Sequence, residues 1–220
     1  MGSLKGKDIL HGNQFSKREI DAIMKTTAQF ERELKKKGSL NLLKGKILAT
    51  LFFEPSTRTR LSFEAAMQRL GGGVISMGSV ESSSVAKGET LTDTAQTVAQ
   101  YADVIVIRHP RIGSAKEVAD TVPIPVINAG DGAGQHPTQA LLDLYTIRKE
   151  LGTLKNLSIA LVGDLKNGRT VHALVEVLSH FGVHFYFVAP SLLRMPGEIT
   201  ERMKEKGCEV IEMDDLAMAA

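Results

Sequence analysis

Residues 51–63, with the sequence LFFEPSTRTRLSF, decide the fold of this chain. They overlap an apolar run, residues 47–53, that is typical of a buried strand. Pro55 and Ser56 end this strand just before an amphipathic helical pattern. We therefore predict a strand, a tight turn and the start of a helix. Three residues are predicted to form the apolar face of that helix: Leu61, Ala65 and Leu70.

The first turn of the predicted helix is an expected anion site. Its free N–H groups and the positive end of the helix dipole favour a negative charge. The turn also adds three hydroxyls and a guanidinium, from Ser56, Thr57, Arg58 and Thr59. Alternatively, Ser56 is only the helix N-cap and the arginines lie on a solvated surface. The dense S-T-R-T-R pattern after a buried strand favours a phosphate or carboxylate site.

Four motifs make the chain recognisable. FFEPSTRTRLSFE, residues 52–64, resembles the carbamoyl-phosphate signature of the transcarbamoylases. Three later stretches resemble the catalytic chains of the aspartate transcarbamoylases in particular: KGETLTDT from residue 87, GDGAGQHPTQALLDL from residue 130 and GDLKNGRTVH from residue 163. The motifs occur in the family's order, and the resemblance extends from the first helix to about Leu216.

Composition excludes several classes of protein. The chain has 220 residues, 43% hydrophobic and 24% charged, which is ordinary for a soluble globular protein. A net charge of +2 does not favour nucleic-acid binding, and no apolar stretch approaches the roughly 20 residues that span a bilayer. The single Cys208 excludes an internal disulfide. We expect a cytoplasmic protein with neither nucleic acid nor membrane as a partner.

Strand and helix patterns alternate along the whole chain, which predicts the α/β class with parallel sheets. The predicted fold has two Rossmann-like parallel-sheet domains, joined near residues 153–156. The resemblance implies that residues 1–150 are a complete carbamoyl-phosphate domain and that residues 151–220 are a partial aspartate domain. Family chains continue for several dozen residues more. We therefore expect that this chain is truncated or is part of a longer chain, and that its last sheet has an unpaired edge strand.

The polar, serine-rich residues 78–89 predict a mobile surface loop. Without the family resemblance, the residues favour the interpretation that the loop is a linker and that Lys87 is a solvent-exposed lysine. Its position after a strand also allows it to carry a cation over a site at the strand ends. The resemblance implies a homotrimer with shared active sites, in which Ser83 and Lys87 reach the neighbouring subunit. Regulatory chains or fused pyrimidine-pathway enzymes are further partners implied by the family.

Four more polar residues lie near the ends of predicted strands or the starts of predicted helices. Arg108 follows a β-branched strand at its carboxyl end, where ligands bind in open α/β sheets. His136 lies in a glycine-rich loop beside Gln139, so it can polarise a carbonyl, although a lone histidine is more often structural. A nucleotide-binding interpretation of GDGAGQ is weak because its spacing is not G-x-G-x-x-G. Without the family resemblance, Arg169 is interpreted as a solvent-exposed residue in the first turn of a helix.

The resemblance implies transfer of the carbamoyl group of carbamoyl phosphate to the amino group of L-aspartate, in de novo pyrimidine biosynthesis. It assigns the phosphate to Ser56, Thr57, Arg58, Thr59, Arg108 and a neighbour's Lys87. It assigns the carbonyl oxygen to Thr59, Arg108 and His136, the carbamoyl amino group to Gln139, and an aspartate carboxylate to Arg169. Arg58, Thr59, Arg108 and His136 are the expected catalytic residues. No cofactor is needed, and the scattered histidines exclude a conventional zinc site.

Two alternatives remain open. An ornithine or other transcarbamoylase would share the S-T-R-T-R and HPTQ motifs. KGETLTDT and GDLKNGRTVH favour the aspartate enzymes, because these stretches differ in the ornithine enzymes. A non-catalytic carbamoyl-phosphate-binding or assembly module would retain the phosphate site while its aspartate half is incomplete.

Overall fold

The computed structural model describes residues 4–77 and 84–215 of the chain. The chain divides into two compact units. The first unit combines the N-terminal residues through Leu10 with Asp21–Gly132, and the second combines His11–Ile20 with the residues from Ala133 onward. A helix near residues 137–151 therefore packs with the second unit, whereas the sequence placed it in the first. The functional boundary at residue 150 stays a prediction.

The structure contains seven α-helices and seven strands within its described residues. The helices are α1 (Lys17–Lys37), α2 (Thr57–Arg69), α3 (Leu91–Val98), α4 (Ser114–Ala119), α5 (Pro137–Leu151), α6 (Arg169–Leu178) and α7 (Gly197–Glu205). The strands are β1 (Ile47–Phe52), β2 (Gly73–Ser76), β3 (Val104–His109), β4 (Val126–Asp131), β5 (Ser158–Val162), β6 (His184–Val188) and β7 (Val210–Met213). None of the described helices combines the length and apolar character needed to span a bilayer.

The first unit is built on a parallel sheet with the strand order β2-β1-β3-β4. Ile9 extends this sheet beyond β4 by a parallel bridge to Ile127. The predicted α/β class with parallel sheets is confirmed. Because the strands are parallel, their carboxyl ends meet at one edge, and this edge carries the start of α2 and the end of β3.

Strands β1, β3 and β4 of this first sheet are buried on both faces, and they supply alternate residues to the two faces. Ala49, Leu51 and Ile105 pack in a core cluster with Ala95 of α3 and Val118 of α4. The intervening strand residues pack on the other side with Met67 of α2, and they are Leu48, Phe52, Val106 and Ala129. Burial on both sides explains why β1 and β3 have continuous apolar sequences without polar alternation.

The predicted apolar face of α2 is wrong. Leu61 is 54% exposed and Ala65 is also exposed. Met67, which is 5% exposed, and the partly buried Phe63 pack on the sheet instead. Phe63 and Met67 are four residues apart and so share a helix face, as do Leu61 and Ala65. Apolar residues at helical spacing occur on both faces of α2, so periodicity alone does not show which face meets the sheet.

The second unit has a parallel sheet with the strand order β5-β6-β7. Phe185 and Phe187 of β6 are buried, as are seven of the ten residues of α6. Glu176 of α6 is 1% exposed and forms ion pairs of 2.8 Å with Arg202 and 2.6 Å with Lys206. These cations compensate the buried carboxylate and tie α6 to the region of α7.

Several predicted bounds differ from the structure. Half of the predicted mobile loop, residues 78–83 with Ser83 among them, lies outside the described residues. The loop's last part, Ser84–Lys87, is a 3-10 helix rather than irregular chain. The strand predicted to end before Arg108 extends through His109 as β3, because it continues its parallel pairing with β1 and β4. The short helix α4 was not predicted.

Candidate functional site

The first turn of α2 has unused hydrogen-bonding groups. Ser56 is at the N-cap with extended backbone angles, φ −160° and ψ 102°, but its side chain makes no capping hydrogen bond. Thr57 and Arg58 are exposed, and Thr59 is half-buried. The hydroxyl of Ser56 and the free N–H groups of this turn are therefore available to an anion.

The two arginines of the S-T-R-T-R motif differ. Arg60 forms a 3.4 Å ion pair with Glu64 of the same helix. Glu64 also accepts hydrogen bonds from the hydroxyls of Thr50 on β1, at 3.0 Å, and Ser76 on β2, at 2.9 Å. These contacts anchor α2 to the sheet. The Arg58 side chain has no hydrogen-bond or ion-pair partner within the described residues, so its cation remains available to a ligand.

Arg108 lies beside this turn at the end of β3. The strand register pairs it with Phe52, the last residue of β1. Its guanidinium forms an ion pair with Glu54 and donates to the Ala129 carbonyl at 3.4 Å. The side chain is only 11% exposed, and its buried Nε has no partner among the described residues. A buried guanidinium with an open donor is suited to an anionic or carbonyl oxygen.

Two residues beside Arg108 were missed by sequence reasoning. Glu54 is the acidic partner just described, and its signal was its place in the motif, one residue before Pro55. The other is His109, whose ring centroid is 5.1 Å from that of Phe53 and whose Nδ1 accepts from the Arg111 backbone at 3.0 Å. Burial, and then the charge of Arg111, lower the pKa of His109 and favour a neutral imidazole.

Lys87 is exposed at the end of the 3-10 helix Ser84–Lys87. Its ammonium has no hydrogen-bond or ion-pair partner in the described part of the chain. The adjoining segment is anchored, because Thr94 donates to Glu89 at 2.6 Å. No polar contact therefore joins the Lys87 side chain to the first turn of α2 within the described residues. Its predicted place in a neighbouring subunit stays a prediction, as does that of Ser83.

His136 and Gln139 lie at the start of α5 in the second unit. His136 occupies the N-cap position and is 4% exposed, and its Nδ1 is 3.3 Å from the hydroxyl of Thr138. Pro137 is the first residue of the helix, a position that suits its fixed φ and its missing N–H. Gln139 is half-buried, and its Nε2 donates to Asp143 at 2.9 Å. Burial raises the pKa of Asp143, and the Gln139 hydrogen bond partly opposes this.

Arg169 is the first residue of α6 and is half-buried. The preceding loop is held by Asp164, whose Oδ1 accepts from the backbones of Asn167 at 3.0 Å and Lys166 at 3.1 Å. These hydrogen bonds, chiefly from Asn167, lower the pKa of Asp164. A Cβ on Gly168 would lie 2.7 Å from the Asp164 carbonyl oxygen, so this loop requires glycine. The loop thus fixes the helix start that carries Arg169.

The predicted residues form three groups. Ser56, Thr57, Arg58, Thr59 and Arg108 share the carboxyl edge of the first unit's sheet. His136 and Gln139 share one helix turn in the second unit, and Arg169 begins another helix there. Within residues 4–77 and 84–215, no group of three or more histidine, cysteine, aspartate or glutamate side chains is arranged to hold a metal ion.

Comparison with known proteins decides the family. A family model described as aspartate/ornithine carbamoyltransferase, carbamoyl-P binding domain, matches residues 7–149. The aspartate carbamoyltransferase catalytic subunit of Thermococcus kodakarensis is 57% identical over 212 residues, which are 96% of this chain and 68% of the relative. The chain belongs to the aspartate carbamoyltransferase family. The resemblance carried by the four sequence motifs is therefore confirmed.

Solved aspartate carbamoyltransferase structures share the fold. Aspartate transcarbamoylase from Trypanosoma cruzi, in complex with carbamoyl phosphate and aspartate, is 45% identical with a TM-score of 0.94, covering 98% of this chain and 70% of that one. The catalytic subunit from M. jannaschii is 51% identical with a TM-score of 0.89, covering 96% and 70%. The fold with two parallel sheets, predicted from the sequence, thus matches that of solved aspartate carbamoyltransferases.

Proposed function

We propose that this chain transfers the carbamoyl group of carbamoyl phosphate to L-aspartate, giving N-carbamoyl-L-aspartate and phosphate in pyrimidine biosynthesis. The observation that carries the proposal is the match, across 98% of the chain, to a structure in complex with carbamoyl phosphate and aspartate. Fold alone does not give function, but 45% identity together with the open groups around Arg58 and Arg108 supports the same chemistry.

The proposed reaction needs no protein nucleophile. The aspartate amino nitrogen attacks the carbonyl carbon, and the C=O electron pair moves onto oxygen. Collapse of this intermediate breaks the bond to the phosphate oxygen, and the departing phosphate accepts the proton lost by the amine. The protein contributes by positioning the reactants and by directing donors at the developing charges.

In the first unit, we assign the phosphate to the start of α2 and to Arg108. The unused hydroxyl of Ser56, the exposed Arg58 and the N–H groups of the turn support this assignment. Thr59 and the open Nε of Arg108 would donate to the carbonyl oxygen.

In the second unit, we assign His136 to the carbonyl oxygen as a donor, neutral or charged, and not as a base. We assign Gln139 to the carbamoyl amino group. Arg169 would bind an aspartate carboxylate, because a guanidinium pairs with a carboxylate through two parallel hydrogen bonds.

The assembly and location are also proposals. A homotrimer with shared active sites would allow Ser83 and Lys87 to serve a neighbouring subunit. The exposure of Lys87, and its lack of an ion-pair partner within the described residues, support such a role. Regulatory chains or fused pyrimidine-pathway enzymes are further expected partners, and the expected location is the cytoplasm.

The test is a comparison of acceptors. Product formation from carbamoyl phosphate is measured with L-aspartate and, separately, with L-ornithine. The proposal predicts turnover with L-aspartate and none above background with L-ornithine. Turnover with L-ornithine alone would identify an ornithine enzyme. Carbamoyl-phosphate binding without turnover of either acceptor would identify a non-catalytic binding module.

A further inference from the structure

We infer that Asp143 is a positioning residue that orients the side-chain amide of Gln139, and thereby makes the site select a carbamoyl group over an acetyl group. The inference rests on the proposed function, in which Gln139 meets the carbamoyl amino group. It deepens that function by naming a residue that distinguishes two acyl phosphates of nearly the same shape.

The geometry of the pair fixes which end of the amide faces the carboxylate. Gln139 and Asp143 are four residues apart on α5, and Gln139 Nε2 lies 2.9 Å from Asp143 Oδ1. An ionised carboxylate can only accept hydrogen bonds, so it requires the NH₂ end of the amide. The flipped amide would place two oxygen acceptors against each other. Gln139 Oε1 therefore points away from Asp143.

This orientation leaves an acceptor available to a ligand. Gln139 Oε1 has no hydrogen-bond partner within the described residues, and both side chains of the pair are half-buried. An acceptor oxygen matches the NH₂ of a carbamoyl group. It does not match the methyl of an acetyl group, which would leave the oxygen without a partner.

As a consequence, the site distinguishes two acyl phosphates by a single chemical group. Carbamoyl phosphate and acetyl phosphate differ only in NH₂ against CH₃. Sites built to hydrogen-bond a substrate NH or OH reject the analogue that lacks it far better than apolar pockets reject a change in size. Without Asp143, the amide of Gln139 could turn and present its NH₂, which would not bind the carbamoyl NH₂.

A simpler role for Asp143 is stabilisation of α5 by a helical side-chain pair. That role affects all ligands equally, because it acts through folding. The positioning role affects only ligands that carry the NH₂ group. The two roles are therefore distinguished by the ratio of two affinities, one for a ligand with the NH₂ group and one for a ligand with CH₃ in its place.

The test measures binding and does not require turnover. Dissociation constants are measured by calorimetry for phosphonoacetamide and acetonylphosphonate, stable phosphonates that differ only in NH₂ against CH₃. The proteins compared are the unmodified chain, Asp143→Asn and Gln139→Met. Glu150→Gln, an exposed acid on the same helix, is the matched control.

The unmodified chain and Glu150→Gln should prefer phosphonoacetamide by about tenfold or more. Asp143→Asn, which can face either end of the amide, and Gln139→Met should lose most of this preference through weaker phosphonoacetamide binding alone. Equal affinities in the unmodified chain, or an unchanged preference in either variant, would overturn the inference. If the unmodified chain shows no turnover with L-aspartate, that result would instead overturn the proposed function.

Discussion

Arg108 and Glu54 form an ion pair across the ends of β3 and β1, while the buried Nε of Arg108 has no partner among the described residues. The guanidinium is thus held at the sheet edge by a carboxylate that competes with any anionic ligand. The pair joins positions 54 residues apart in the sequence. We therefore expect Glu54 to weaken the binding of phosphate by the first unit.

Glu54→Gln should tighten the binding of inorganic phosphate by roughly threefold to tenfold, because the competing charge is removed. Calorimetric titration measures this change. Glu117→Gln is the control, because Glu117 pairs with the exposed Arg111. Weaker phosphate binding in Glu54→Gln would show that Glu54 holds Arg108 in a binding position instead of competing for it.

Arg58→Ala should lower kcat/KM by more than about a hundredfold, because a charged donor to a developing anion contributes about 3 kcal/mol. The melting temperature should stay unchanged, since Arg58 is exposed and has no partner within the described residues. Arg69→Ala, an exposed arginine at the other end of α2, should retain normal activity. Unfolding of Arg58→Ala, or near-normal rates, would contradict the phosphate assignment.

Lys87→Gln should reduce activity without lowering the melting temperature, because the exposed side chain has no ion pair in the described part of the chain. Lys44→Gln is an exposed control in the same unit.

If active sites are shared, mixing Lys87→Ala chains with Arg58→Ala chains should restore some activity. Hybrids without any recovered activity would count against shared sites.

Asp103 should stabilise the first unit above acidic pH. Lys46 donates to its carboxylate at 2.7 Å and the Ile47 backbone donates at 2.8 Å, and these hydrogen bonds lower the pKa of Asp103. A lowered folded-state pKa means stability that is present above the unfolded pKa, about 3.9 for aspartate, and lost as the pH falls through the folded value.

Asp103→Asn should therefore lower the melting temperature at pH 7, and the difference from the unmodified chain should disappear in acid. Asp120→Asn removes only an exposed i,i+4 pair with Lys116 and should change little. A difference that persists below the folded-state pKa would assign the effect to lost packing instead of charge.

Local signals in the sequence predicted much of the fold. Ser16 followed three residues later by Glu19 is the sequence pattern of a capping box. In the structure the Ser16 N–H donates to the Glu19 side chain at 2.9 Å, and the Glu19 N–H donates to the Ser16 hydroxyl at 3.3 Å. Pro137 begins α5 as its fixed φ favours. Such features depend on residues within one turn, so the sequence contains all the information that they need.

Features that depend on distant residues were not predictable in this way. The Glu54 partner of Arg108 and the exposure of Leu61 both depend on how β1, β3 and α2 pack. Gly132 belongs to the glycine-rich loop that precedes His136. It has φ +56°, and an added Cβ would lie 2.4 Å from the Pro110 carbonyl oxygen, so this glycine serves the approach of the chain to itself.

The most direct test of carbamoyl transfer follows the new bond. Carbamoyl phosphate labelled with ¹³C at the carbonyl is incubated with ¹⁵N-labelled L-aspartate and this chain, and the carbonyl carbon is observed by NMR. The proposed function predicts a ¹³C signal split by coupling to the aspartate ¹⁵N, together with one phosphate released per coupled product. Signals from hydrolysis of carbamoyl phosphate alone, without ¹³C–¹⁵N coupling, would contradict it.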